Sequence, residues 1–176
     1  MNLIERMQSG FTFFDGGCGT ILQAAGLQPG ELPEKWNMTH ADVIRQMHYD
    51  YLAGFEAYIC ELRQQGVKTA VVTSSNVPKM QAVYRHRPEF KELFDAILTA
   101  EDFERSKPDP DCYLKAAAHF GVAPEECTVF EDSFNGLKSG RAAGMTVVGL
   151  STTNAADAIR PLCDRVISDF NEELKS

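Results

Sequence analysis

The chain is short of several things, and each shortage removes a class of function. It has no excess of positive charge: 17 Lys and Arg stand against 25 Asp and Glu, a formal net charge of −8. No basic stripe is available to neutralise a phosphate backbone, so nucleic acid is not an expected partner. No apolar run approaches the ~20 residues that span a bilayer, so no membrane partner is expected. MNLIERMQSG is too polar for a signal peptide, which makes a cytoplasmic location the expectation. The five cysteines, Cys18, Cys60, Cys112, Cys127 and Cys163, are odd in number and far apart. They lack zinc-site spacing and read as reduced, mostly buried thiols. Internal repeats and low-complexity segments are also missing.

What is present fits one α/β domain. The 176 residues, 44% hydrophobic and 24% charged, suffice for one sizeable core. From about residue 67 the pattern is regular. VKTAVVTSS, FDAILTAED, CTVFED and MTVVGLST read as buried strands with their loops, and DRVISDF as a last short strand. Between them lie helical stretches: Val77 to Tyr84, DPDCYLKAAAHFG punctuated by Pro110 and Gly121, and SFNGLKSGRAAG. Such alternation predicts a parallel sheet with right-handed crossovers. The first third has another texture. FTFFDGG reads as a strand, followed by a long polar loop containing Trp36. Thr39 is a candidate cap for the helix ADVIRQMHYDYLAG, and FEAYICELRQQG reads as a second helix. A seam is expected near Gly54.

In an open α/β sheet, ligands sit outside the carboxyl ends of the strands. Four segments bring polar groups there: Asp15, Thr73 to Asn76, Lys107, and Glu131-Asp132-Ser133. Hydroxyls and loop N–H groups suit phosphate oxygens, a lysine neutralises charge, and carboxylates suit Mg2+, a hard cation. A carboxylate facing phosphorus can attack it to form an acyl phosphate. Each residue also has a plain structural reading. Thr73 and Ser74 would shape a turn, Lys107 would be a solvated loop charge, and the acidic pair would cap a helix. Their occurrence in order, each after a strand or in a strand-edge loop, favours the chemical reading.

The runs VVTSSN, SKPDPDCYL and VFEDSFNGLKSGRAAGM resemble motifs two, three and four of the haloacid dehalogenase-like superfamily, nearest its β-phosphoglucomutase-like phosphatases. The resemblance covers roughly residues 55 to 170. It implies a Rossmann-like parallel sheet and Mg2+-dependent hydrolysis or transfer of phosphate from a small phosphorylated metabolite. It implies that Thr73 and Ser74 bind phosphate and that Lys107 bridges phosphate and nucleophile. Asp132 would bind Mg2+, with Glu131 as ligand or support.

The first motif departs from that pattern. In Asp15-Gly16-Gly17-Cys18-Gly19-Thr20 the implied nucleophile, Asp15, is present and would also touch the metal. The position of the acid/base aspartate is Gly17, which has only a carbonyl to offer a metal. An impaired enzyme is expected. His40 and His48 are the nearest substitutes for the missing acid/base, and solvent-facing helix positions are the expected reading of both. The interval from Thr20 to Gly66 is also too short for the usual helical cap, so the cap is reduced or replaced. With its DGGCGT turn, its PEKWN segment and the helix ADVIRQMHYDYLAG, the stretch over residues 1–54 resembles instead the start of the homocysteine-binding barrel of cobalamin-dependent methionine synthase. The division expected is a first βα unit over 1–54 joined to a dehalogenase-like core over 55–176, in one domain. FTFFD would supply the missing sheet strand. A non-catalytic phosphate- or metal-binding module, and a fragment related to homocysteine methyltransferase, remain as alternatives. Oligomeric state is left open.

Overall fold

The computed structural model describes residues 11–14 and 41–175, with side chains from Ala53 onward other than His86 and Lys175. Six parallel strands form one sheet: β1 (Phe11–Phe14), β2 (Lys68–Val72), β3 (Ala96–Leu98), β4 (Cys127–Glu131), β5 (Thr146–Leu150) and β6 (Arg165–Ile167). Their order is β3-β2-β1-β4-β5-β6. The chain winds outward from β1 through β2 to β3. It then crosses back to lay β4 on the other side of β1. The strand order therefore reverses between β1 and β4, and a crevice opens beyond their carboxyl ends. FTFF is thus the central strand. Phe14 is in register with Val71 of β2 and with Phe130 of β4.

Strand burial follows from position. Every residue of CTVFE in β4 is buried, and so are four of five in β2, as expected for parallel strands covered on both faces. Alternate side chains enter different layers. Val71, Phe130 and Val148 join one cluster with Phe94 and Phe170. Ala70, Val72 and Val129 join the other with Cys112, Tyr113, Ala116 and Ala117. The helices on these faces are α1 (Ala41–Gln64) and α3 (Asp111–Phe120). The remaining helices are α2 (Val77–His86), α4 (Phe134–Ala142) and the short α5 (Ala156–Ile159).

Local chemistry sets the helix ends. Asn76 caps α2 by accepting from Lys79 N, with proline in the first turn. Gly121 closes α3 at φ 69°, a left-handed conformation that costs glycine nothing.

The expected break at Gly54 is corrected. ADVIRQMHYDYLAG and FEAYICELRQ form one continuous helix. Its buried residues Phe55, Tyr58, Ile59 and Leu62 follow i, i+3, i+4, i+7 spacing and seal one face of the sheet. Glycine at 54 serves packing rather than a turn. A Cβ there would meet the Asn171 side chain at 2.8–3.0 Å.

Candidate active site

The carboxyl end of β4 carries the densest polar network among the described residues. Glu131 is the last residue of that strand and is fully buried. Its Oε1 accepts from Lys107 Nζ at 2.5 Å and from Tyr113 Oη at 2.8 Å. Its Oε2 accepts from the backbone N of Ser133 at 3.3 Å and from Ser133 Oγ at 3.1 Å. The same Ser133 Oγ accepts from Gly136 N at 3.0 Å and so caps α4. The capping role expected of this segment is real, and it coexists with a buried ion pair.

Lys107 is not a solvated loop charge. Its side chain is 6% exposed, and Nζ also donates to Val72 O and Tyr113 Oη, each at 3.1 Å. Val72 ends β2, so the ammonium ties the carboxyl ends of β2 and β4 together across β1. A buried ammonium is tolerable only when paired and hydrogen-bonded, and Glu131 supplies that pairing. The loop carrying Lys107 contains a cis Lys107–Pro108 peptide. It is fastened by Asp111, whose Oδ2 accepts from Glu104 N at 2.7 Å and Arg105 N at 3.2 Å. Ser139 Oγ, from α4, donates to Asp109 O at 2.7 Å.

Asp132 follows Glu131 and is also buried. Thr153 Oγ1 donates to its Oδ2, and Asn154 Nδ2 donates to its main-chain oxygen at 2.8 Å. Burial pushes the Asp132 carboxyl up from its ordinary value; the Thr153 hydrogen bond opposes this and the Glu131 charge adds to it. A carboxylate in that state gains from a nearby cation. Its oxygen donors also fit a hard divalent ion, so Asp132 suits the Mg2+ role that the resemblance implies. Glu131, by contrast, has both oxygens engaged by Lys107, Tyr113 and Ser133. No group of three or more His, Cys, Asp or Glu side chains able to hold a metal occurs among the described residues. Asp15 and Gly17, the remaining ligands implied, lie outside the described residues, as do Cys18, Trp36, Thr39 and His40.

Of the two phosphate-binding candidates after β2, the structure separates one from the other. Thr73 Oγ1 accepts from Ser75 N at 3.1 Å, a turn-forming bond. Ser74 is exposed and lines a cleft of about 540 Å³ with Lys107, Ser133, Phe134, Asn135 and Asn154. Cys112, Cys127 and Cys163 are buried free thiols, and burial pushes Cys127 up to about 12. Cys60 is free and exposed.

The sheet order puts the buried lysine–carboxylate pair and the adjacent aspartate at the switch point of an open parallel α/β sheet, the place where such folds bind ligands. The chain matches the model of haloacid dehalogenase-like hydrolases over residues 20–144 and belongs to that family. It is 39% identical over 100 residues to hexitol phosphatase A of Escherichia coli (strain K12), covering 57% of this chain and 45% of that protein. It is 34% identical over 102 residues to beta-phosphoglucomutase of Bacillus subtilis (strain 168), covering 57% of this chain and 43% of that protein. The chain thus spans less than half the length of these curated relatives. A family IA, variant 3 hydrolase of the same superfamily from Entamoeba histolytica superposes with a TM-score of 0.67 at 20% identity. That superposition covers 93% of this chain and 94% of the other.

These findings correct the barrel resemblance of residues 1–54. The family match spans residues 20–144, a range that takes in Gly54 and most of the segment before it. FTFF lies inside a dehalogenase-type sheet, paired on both sides. A methyltransferase fragment is therefore not a reading of this chain. That resemblance rested on the DGGCGT turn, the PEKWN segment and the helix that follows, and the comparisons do not support it.

Three contributors escaped the sequence reading: Tyr113, Thr153 and Asn154. Tyr113 reads as an ordinary apolar position of α3. STTN, residues 151–154, did carry a signal. Like TSSN after β2, it is a hydroxyl-and-amide run placed directly after a buried strand.

Proposed function

We propose that the chain is an Mg2+-dependent phosphatase or phosphotransferase acting on a small phosphorylated metabolite through an aspartyl phosphate on Asp15. The observation that supports it most is the buried Lys107–Glu131 pair beside Asp132, at the end of the strand adjacent to β1. Asp15 follows β1 directly in sequence. In this reading its carboxylate oxygen attacks phosphorus, the ester P–O bond breaks, and the alcohol leaves as its oxygen takes a proton from water. A second water then cleaves the acyl phosphate to release inorganic phosphate and restore Asp15. Lys107, held by Glu131 and Val72, offers positive charge to the phosphoryl oxygens, and Ser74 with its loop offers hydrogen-bond donors; Thr73 shapes that loop. Asp132, Asp15 and the Gly17 carbonyl would hold Mg2+, whose charge would offset that of the transferring phosphoryl group. Glu131 acts as the support of Lys107 rather than as a ligand.

A second reading, a phosphate- or metal-binding module without turnover, is favoured by one feature, the glycine at position 17. The test is phosphate release from sugar phosphates and an aryl phosphate with and without Mg2+, beside Asp15→Asn. Mg2+-dependent release that disappears in Asp15→Asn supports the enzyme. Release no greater than that of the variant overturns it in favour of the binding module.

A further inference from the structure

Thr153 and Asn154 stand outside every motif that carries the family resemblance, yet both reach Asp132. One side chain addresses the carboxylate and the other the main chain of the same residue. They come from the turn that follows β5, and that turn is itself tied down. Ser151 N and Oγ both donate to Ile167 O, at 2.9 and 3.2 Å, and Thr152 is fully buried. The grip on Asp132 therefore originates in β5 and β6, not in the loop that bears Asp132.

A carboxylate that must hold a cation gains little if it rotates freely, because each wrong orientation weakens binding. A hydrogen bond to one oxygen removes that freedom. Here Thr153 occupies Oδ2, which leaves Oδ1 as the oxygen without a side-chain donor among the described residues. Asn154 fixes the backbone beneath, and its side chain also borders the cleft. We propose that Thr153 is a positioning residue for Asp132, its hydroxyl holding Oδ2 so that Oδ1 is presented to a divalent cation, with Asn154 bracing the same residue from the main chain. This rests on the metal role given to Asp132 under the proposed function.

The test is calorimetric titration of the whole chain with MgCl2 alone, for wild type, Thr153→Val and Thr153→Ser, beside phosphate release against Mg2+ concentration. Valine keeps the shape and removes the donor; serine keeps the donor. The expected result is Mg2+ binding weakened about 10-fold or more in Thr153→Val and within about twofold of wild type in Thr153→Ser. The Mg2+ half-saturation for phosphate release should rise in parallel while the KM for the phosphate ester stays put. Unchanged Mg2+ affinity in Thr153→Val, or serine as weak as valine, overturns the bracket and leaves the hydrolase reading intact. Wild type that takes up no Mg2+ overturns the bracket, and phosphate release persisting in EDTA would then keep the hydrolase. Mg2+ binding without phosphate release, with the valine loss and serine rescue, supports the bracket and overturns the hydrolase.

Discussion

A Cβ on Gly136 would stand 1.9 Å from the carboxyl carbon of Glu131. The first turn of α4 therefore leaves a side-chain-sized space that the buried carboxylate fills. That carboxylate holds Lys107, and Lys107 reaches the end of β2. Alanine at 136 has no room unless Glu131 moves, and Glu131 is fully buried with donors on both oxygens. Gly136→Ala is expected to cost ~3–5 kcal/mol, the range for breaking a buried pair. A shift of the urea midpoint without a change of slope would show this as lost stability. A loss below ~1 kcal/mol would mean that the pair relocates easily.

The loop that carries Lys107 has its own pH dependence. The N–H groups of Glu104 and Arg105 hold the Asp111 carboxyl below its ordinary value of 3.8, the former being the larger influence and partly opposed by desolvation. A depressed carboxyl contributes stability that is complete above the unfolded-state value. That contribution disappears as pH falls through the folded-state value. Wild type should therefore lose stability below about pH 4 more steeply than Asp111→Asn, while at neutral pH the variant is the weaker of the two. Thermal melts from neutral pH down into the acid limb give both curves. Parallel curves would show that Asp111 does not couple the loop to acid.

How legible this was in the sequence depends on whether a signal is local. Strands β2, β4 and β5 and helices α3 and α4 were readable from apolar runs and their punctuation, since each forms for reasons within a dozen residues. Lys107, Glu131 and Asp132 were readable as a group because motif order encodes which residues meet at the sheet edge. The continuity of α1 was not. Gly54 looks like a stop, and only the approach of Asn171 explains it. The separate fates of Thr73 and Ser74 were equally hidden. Adjacent hydroxyls look alike until one of them accepts a turn N–H.

Continuity at Gly54 is itself testable. A helix whose backbone is hydrogen-bonded through that point, with Phe55 and Tyr58 buried beside it, offers a protease no extended segment. Limited chymotrypsin digestion, which can cut after Tyr51, Phe55 or Tyr58, should yield no early fragment ending between residues 50 and 62. Early cleavage there would show a frayed junction and revive a division of the chain at Gly54.

The strongest prediction concerns the glycine two places after Asp15. If the phosphate-binding end and Asp132 are competent, the missing piece is a group that protonates the leaving oxygen and then deprotonates water. General acid/base catalysis of that kind contributes roughly 10²–10⁴-fold. Gly17→Asp should therefore raise the rate of phosphate release by a factor in that range. Most of the gain should appear in kcat for esters with poor leaving groups, because these depend most on protonation. An aryl phosphate leaves without help and should gain far less. A uniform small change across both kinds of ester would mean that residue 17 does not face the leaving oxygen, and that the departure at this position belongs to a binding module.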